Sequence, residues 1–108
     1  MELLKEYFPG LTGFEWDAGN SDKNWLAHDV SQAETEQAFF TRPVVLAKGL
    51  ARSDVESRHF LLGKTAGGRR LSIVFTLRGS LVRPIMARDM SRKERRLYAE
   101  QENAEEAS

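Results

Sequence analysis

The spacing of apolar residues in the first third of the chain predicts one short strand and one helix. Residues 14–16 alternate apolar and polar side chains, which is typical of a half-buried strand. Asn20 or Ser21 is placed to cap a helix over residues 22–28. Residues 1–13 are interrupted by proline and glycine, and we expect them to form an N-terminal extension.

Two further helices are predicted from capping signals. Ser31 stands three residues before Glu34, and Ser91 stands three residues before Glu94. This spacing is that of a capping box, in which serine and glutamate satisfy each other's free backbone N–H groups. The last helix runs into the glutamate-rich residues 99–108, so we expect an acidic helix end or tail there.

Between these helices, apolar runs and turn residues predict a meander of strands. Residues 44–47 are an apolar run, whereas residues 49–57 are polar and are predicted to form a mobile loop. Three further strands are predicted at residues 59–64, 71–77 and 81–87. Pro84 cannot donate to a strand ladder, so the last strand should lie at an edge or carry a bulge. The expected fold is α+β, a small antiparallel sheet of about four to five strands with two N-terminal helices and one C-terminal helix.

Composition limits the class of protein. The 108 residues fit one domain, and their 41% hydrophobic and 30% charged content is that of an ordinary globule. No apolar run approaches the roughly 20 residues of a membrane span. The chain has no cysteine and two histidines, which excludes disulfides and thiolate zinc sites. We therefore expect a cytoplasmic protein, away from membranes, whose chemistry needs neither a metal nor another cofactor.

The formal net charge of zero conceals a strong segregation of charge. Residues 1–40 carry −6, residues 41–98 carry +10 and residues 99–108 carry −4. An arginine-rich middle between acidic ends presents a local positive field that suits phosphate groups. Nucleic-acid binding is therefore a candidate function.

Arginines group around the last predicted hairpin. They are Arg58, Arg78, Arg83 and Arg88. A single arginine is usually a solvated surface residue, but such a group favours a polyanion site. Strand alternation places Arg83 and Arg88 on opposite faces unless Pro84 introduces a bulge. Arg92 and Lys93 add positive charge beside free N–H groups at the start of the last helix, a second place for phosphate.

Fewer residues are candidates for proton transfer than for phosphate binding. His28 lies one helical turn after Asn24, so the two share a helix face, although a histidine at a helix end is often only structural. Glu15, Asp17 and Glu56 are the candidate carboxylates, with the alternative that they only solvate the surface.

Several short motifs follow one another in a fixed order between residues 14 and 98. They are Phe14-Glu15-Trp16-Asp17, Asn24 and His28 before Val30, Ala38-Phe39-Phe40, Glu56-Ser57-Arg58 leading to Gly63, Phe75-Thr76-Leu77-Arg78-Gly79, and Arg83 through Ala87-Arg88-Asp89-Met90-Ser91-Arg92-Lys93-Glu94-Arg95 to Tyr98. In this order they resemble the BrnT family, ribonuclease toxins of type II toxin–antitoxin systems and relatives of the RelE fold.

The resemblance implies a RelE-like domain over residues 14–98 that cleaves RNA. It also implies a BrnA-like antitoxin partner with a ribbon-helix-helix region, so that the protein reaches operator DNA only in a hetero-oligomer with the antitoxin. Arg58, Arg78, Arg83 and Arg88 match basic positions of the family, and His28 and Tyr98 match polar ones. The expected RNA contacts are Lys64, Arg92, Lys93 and Tyr98.

The main hypothesis is a metal-independent endoribonuclease. In it the ribose 2′-OH attacks the adjacent phosphate and leaves a 2′,3′-cyclic phosphate. Arg58, Arg83 and Arg88 are expected to clamp the phosphate with help from Arg78. His28 is the first candidate for proton transfer, with Glu56 and Tyr98 as alternatives.

Departures from the family pattern support other hypotheses. Ala27 stands in place of a lysine, Asp29 of a glycine, His59 of an aromatic residue and Met86 of a serine. With catalysis lost, the domain would be a module whose basic face docks RNA or an acidic protein. In a third hypothesis, the acidic ends of the chain neutralise the basic strip and leave a protein–protein interaction domain.

Overall fold

The computed structural model describes residues 4–5, 8–52 and 57–106, which form an α+β fold. In chain order the elements are β1 (Gly13–Phe14), α1 (Ala18–His28), α2 (Gln32–Ala38), β2 (Val45–Arg52), β3 (Ser57–Lys64), β4 (Arg70–Arg78), β5 (Leu81–Asp89) and α3 (Arg92–Glu106). The predicted fold class is confirmed, as is the order of two helices before the meander and one after it.

The sheet is mixed, whereas the sequence predicted an antiparallel one. Its strand order is β1-β5-β4-β3-β2, and β2 to β5 form an antiparallel meander. The short β1 runs parallel to β5, pairing Gly13 with Leu81 and Phe14 with Val82. Two residues are too few for a sequence pattern to reveal strand direction.

Helix α1 begins earlier than predicted because Asp17 caps it, not Asn20 or Ser21. The Asp17 Oδ1 accepts the backbone N–H of Asn20 at 3.2 Å. Asn20 lies inside the helix and is buried, and its side-chain amide donates to the carbonyl oxygens of Glu15 at 3.0 Å and Pro84 at 2.9 Å. Asn20 thus attaches the start of α1 to β5.

Both predicted capping boxes are present. The Ser31 Oγ accepts the Glu34 N–H while the Glu34 Oε1 accepts the Ser31 N–H, both at 3.1 Å. At α3, Glu94 Oε1 accepts the Ser91 N–H at 2.7 Å, and Ser91 Oγ accepts the Glu94 N–H at 3.2 Å. The starts of α2 and α3 are therefore encoded locally.

The predicted loop over residues 49–57 is largely strand. β2 continues to Arg52, which pairs with Ser57 at the start of β3, after a register shift beyond Lys48. Backbone pairing at the end of a hairpin does not require apolar side chains, so the polar composition misled the prediction. Residues 53–56 lie outside the described part of the chain.

One face of the sheet carries the core. Leu61, Ile73 and Ala87 lie opposite one another on β3, β4 and β5 and are fully buried. Leu4 and Leu11, from the predicted N-terminal extension, pack into the same cluster. Among the described residues, no helix has the length and apolar character needed to cross a membrane.

Candidate nucleic-acid interface

A β-bulge in β5 decides which arginines share a face of the sheet. Val74 pairs with Met86, but the next residue of β4, Phe75, pairs with Pro84. Ile85 is therefore the extra residue, and side-chain alternation along β5 shifts by one position there. Of the two alternatives predicted from Pro84, the bulge is confirmed, whereas β5 is not an edge strand because β1 pairs with it.

Because of this shift, Arg83 and Arg88 point to the same side. Arg83 lies opposite Thr76 and Arg88 lies opposite Ser72, and the two β4 residues are four positions apart. Residues at even spacing along a strand share a face. This is the face away from the core, which we call the second face.

Arg58 joins the second face from β3. The register pairs His59 with Phe75, so the next residues along the two strands, Arg58 and Thr76, lie opposite one another. Arg58, Thr76 and Arg83 thus form a row across three neighbouring strands. Strands lie about 4.8 Å apart, which places the backbones of the two arginines about 10 Å from each other. Two guanidinium groups at that separation can reach one phosphate.

Arg83 is held by two carboxylates. Its Nη1 donates to Glu15 Oε1 and to Asp17 Oδ2, both at 3.0 Å, and its Nη2 donates to Asp17 Oδ1 at 3.2 Å. Its side chain is only 16% exposed. The hydrogen bond from Arg83, assisted by the Asn20 backbone N–H, lowers the pKa of Asp17.

Glu15 lies at the centre of this group. It follows β1 directly, and its N–H donates to the Val82 carbonyl at 2.8 Å, which places it beside Arg83. Glu15 Oε1 accepts from Arg83 and also from Arg78 Nη1 at 3.2 Å. β1 and the last hairpin are therefore joined by a carboxylate that two guanidinium groups share.

Arg58 differs from the other arginines of the row. Within the described residues it forms no ion pair, and its Nε is buried without a hydrogen-bond partner. A buried donor without a partner is uncommon in proteins and requires an explanation. Here it faces the same side of the sheet as Arg83.

Arg88 occupies a separate part of the second face, near the start of α3. Its two Nη atoms donate to the two carboxylate oxygens of Glu94 at 2.8 and 3.1 Å. Burial opposes ionisation of Glu94, but hydrogen bonds from Arg88, the Ser91 backbone and the Ser72 hydroxyl outweigh it and lower the pKa of Glu94 to about 2.

Lys64 lies at the far end of the second face, under the C-terminal half of α3. Its Nζ donates to Glu102 Oε2 at 3.1 Å, and Arg70 Nη2 donates to Glu102 Oε1 at 2.8 Å. The hydrogen bonds from Arg70 and then from Lys64 lower the pKa of Glu102. In contrast, Arg92 and Lys93 are exposed in the first turn of α3.

Tyr98 is not exposed to solvent on the second face. Tyr98 is fully buried, and its hydroxyl donates to the Pro43 carbonyl at 2.6 Å. Burial raises the pKa of Tyr98. In this conformation the phenol is therefore unavailable for direct contact with RNA, and we assign it a structural role.

His28 is also apart from the arginine row. It ends α1, and Arg69 Nη2 donates to its carbonyl at 3.2 Å, near Asp89. The start of α1 lies at Pro84, beside Arg83, and His28 is about 12 Å further along the helix. Glu56, the other acid–base candidate, lies outside the described residues.

Arg69 is a structural arginine that the sequence did not reveal. Its guanidinium group donates hydrogen bonds to the carboxylates of Asp89 and Glu34 and to the backbone carbonyls of His28 and Asp29. The hydrogen bond to Asp89 is the main cause of the raised pKa of Arg69. It therefore fixes the α1–α2 junction to the end of β5. No local motif marks this role, because its partners are 20 to 41 residues distant in the chain.

Asp29 and His59, two of the four residues that depart from the family pattern, have a structural explanation. Asp29 adopts a φ of 55°, a left-handed conformation that glycine enters without strain and aspartate tolerates. His59 faces the core, where its ring packs on Phe8 at 4.9 Å and Phe75 at 5.3 Å between centroids. It thus fills an aromatic position and lies on the opposite face from Arg58.

The fold and its second face define a small α+β protein in which arginine–carboxylate pairs cover one side of a five-stranded sheet. A sequence model of the ribonuclease toxin BrnT of type II toxin–antitoxin systems matches residues 16–94, and the chain belongs to this family. The family has ribonuclease activity and works with an antitoxin partner. A comparison with curated proteins finds no match.

Proposed function

We propose that the protein is a metal-independent endoribonuclease in which the ribose 2′-OH attacks the adjacent phosphate. The observation that carries this proposal is the row of Arg58, Thr76 and Arg83 on the second face, with Glu15 beside it. The reaction needs no protein nucleophile. It needs a fixed geometry, stabilisation of the charge on the phosphorane and transfer of protons.

Arg58 and Arg83 form the phosphate clamp of the proposed site. Their guanidinium groups can hold the non-bridging oxygens of one phosphate from two sides and stabilise the charge that grows on them. Arg78 assists from the end of β4. Within the described residues Arg58 forms no ion pair, so no carboxylate there competes with a phosphate for its guanidinium group.

Arg88 binds a different phosphate in this proposal. Ser72 and Thr76 are four residues apart on β4, which corresponds to about 13 Å along the strand, so Arg88 is too distant to share a phosphate with Arg83. It lies instead with Arg92 and Lys93 at the start of α3, where an adjoining stretch of the RNA backbone would bind.

The proposed partner is a BrnA-like antitoxin with a ribbon-helix-helix region, which covers the second face and carries the complex to operator DNA. We further propose a RelE-like domain over residues 14–98 that acts in the cytoplasm. The exposed apolar side chains of Trp25, Phe40 and Leu97 are compatible with a further protein surface.

Cleavage of a defined RNA in EDTA tests the proposed activity. The wild type, Arg83→Ala and Arg58→Ala are compared, with Arg96→Ala, an exposed arginine of α3, as the matched control. We expect 2′,3′-cyclic phosphate ends from the wild type and the control, and loss of product in both clamp variants. Intact RNA with the wild type, or full activity of Arg83→Ala, would contradict the proposal.

A second function is favoured by the neutralisation of the basic strip. Glu102 engages Lys64 and Arg70, Glu94 engages Arg88, and Glu15 and Asp17 engage Arg83. A face whose basic side chains are already paired with carboxylates is suited to docking a protein. RNA binding that is weak and insensitive to salt would favour this function, because phosphate contacts make affinity fall steeply with salt.

A further inference from the structure

We propose that Glu15 is the general base that removes the proton from the attacking 2′-OH, an inference that rests on the proposed ribonuclease function. Glu15 is brought to the clamp by the parallel pairing of β1 with β5. His28 and Tyr98, two residues expected from the sequence to transfer protons, both lie apart from Arg83, whereas the candidate carboxylate Glu15 contacts it.

The two oxygens of the Glu15 carboxylate have different surroundings. Oε1 accepts from Arg78 and Arg83, which fixes the orientation of the carboxylate. Within the described residues, Oε2 accepts no hydrogen bond. The side chain is 32% exposed, so Oε2 is accessible to a ligand on the second face. A base needs such an accessible lone pair within hydrogen-bond reach of the proton that it removes.

Asp17 is a poorer candidate for the base, although it contacts the same arginine. Both of its carboxylate oxygens bind Arg83, and Oδ1 also accepts the Asn20 N–H that caps α1. Its lone pairs are occupied by contacts that position the clamp. Asp17 is therefore a positioning residue for Arg83.

The proposed step balances in atoms and charge. Glu15 Oε2 takes the proton of the 2′-OH while the O2′ electron pair forms a bond to phosphorus. The bond from phosphorus to O5′ breaks, and the departing O5′ takes a proton from water. The products are a 2′,3′-cyclic phosphate and a 5′-OH, and Glu15 then returns its proton to solvent.

Glu15→Gln distinguishes a base from a group that only orients the arginines. The amide oxygen of glutamine can still accept from Arg78 and Arg83, but the amide cannot take up a proton. For a base we expect kcat to fall by roughly 10²- to 10⁴-fold. RNA affinity should be kept or raised, since a negative charge is removed beside the clamp. Asp22→Asn, an exposed carboxylate of α1, is the matched control and should cleave as the wild type does.

A conservative variant provides a second readout that does not depend on Glu15→Gln folding. Glu15→Asp keeps a carboxylate but withdraws it by one methylene, so we expect a smaller loss of kcat than in Glu15→Gln. Thermal melting of each variant verifies the fold.

The outcomes separate the two proposals. The role of Glu15 alone would be overturned by a wild type that cleaves RNA together with a Glu15→Gln variant that cleaves within a few-fold of it. The same holds for a Glu15→Asp variant that is no more active than Glu15→Gln. A wild type that does not cleave would overturn the ribonuclease proposal and the role of Glu15 with it. Loss of cleavage with RNA binding kept in Glu15→Gln supports both.

Discussion

Arg83 and Asp17 form a two-point ion pair, with Nη1 to Oδ2 at 3.0 Å and Nη2 to Oδ1 at 3.2 Å. The carboxylate thus occupies the edge of the guanidinium that a phosphate would use. An RNA phosphate must displace Asp17 or approach Arg83 through its remaining donors. The affinity of the clamp for RNA therefore depends on how strongly Asp17 holds Arg83.

The first prediction concerns this competition. In Asp17→Asn the neutral amide holds Arg83 more weakly, and asparagine is as good a helix cap as aspartate, so α1 should persist. We expect RNA to bind several-fold more tightly and with a steeper salt dependence. Fluorescence anisotropy with a labelled RNA measures both, and Asp22→Asn serves as the control. Equal affinities of Asp17→Asn and the wild type would show that Asp17 does not compete.

Glu94 provides a prediction on pH. Its folded pKa of about 2 lies below its ordinary value of 4.5. A lowered carboxyl pKa contributes stability that is present above pH 4.5 and is lost as pH falls towards 2. Because solvent screens part of the interaction, we expect Glu94 to contribute about 1–2 kcal/mol at pH 7.

Denaturant unfolding of the wild type and Glu94→Gln at several pH values measures this contribution. The wild type should be more stable at pH 7, and the difference should shrink between pH 4.5 and pH 2. Glutamine can still complete the capping box with Ser91, so the start of α3 should be kept. Glu100→Gln, an exposed position of α3, is the control. A difference that stays constant with pH would contradict the assignment.

Asp29 provides a prediction on backbone strain. Its φ of 55° is unfavourable for a residue with a side chain, and Arg69 binds its carbonyl oxygen rather than its carboxylate. Asp29→Gly should therefore raise the free energy of unfolding by about 0.5–1 kcal/mol, whereas Asp29→Ala should lower it. Thermal and denaturant unfolding of the pair tests the sign, and a stabilised alanine variant would disprove the explanation.

Tyr98 provides a test of structural against catalytic roles. Removal of its hydroxyl leaves the buried Pro43 carbonyl without a partner, so Tyr98→Phe should cost about 1–2 kcal/mol of stability. The rate of RNA cleavage and its pH dependence should stay unchanged below the new melting temperature. A loss of kcat in folded Tyr98→Phe would return Tyr98 to the catalytic site.

The sequence predicted the features that are encoded locally. The capping boxes at Ser31 and Ser91 lie within four consecutive residues each, so they could be recognised without knowledge of the fold. An edge position or a bulge was predicted at Pro84 because proline cannot donate to the ladder, and the bulge is present. The order of the motifs indicated the family that residues 16–94 match.

The arrangement of the candidate site could be predicted only in part. That Arg83 and Arg88 share a face depended on the bulge, which the sequence left as a condition. The engagement of Arg83 by Glu15 and Asp17 links residues 66 to 68 positions apart, and no local pattern encodes such a pairing. Helix periodicity likewise could not show that His28 would lie at the opposite end of α1 from these groups.

The parallel pairing of β1 with β5 has a consequence for biosynthesis. Glu15 leaves the ribosome well before its partner Arg83, which is 68 residues later in the chain, on β5. A nascent or prematurely terminated chain that ends before β5 has the carboxylate without its arginine. The proposed cleavage site therefore assembles only after β5 has been translated, and incomplete products that end before β5 carry no assembled site.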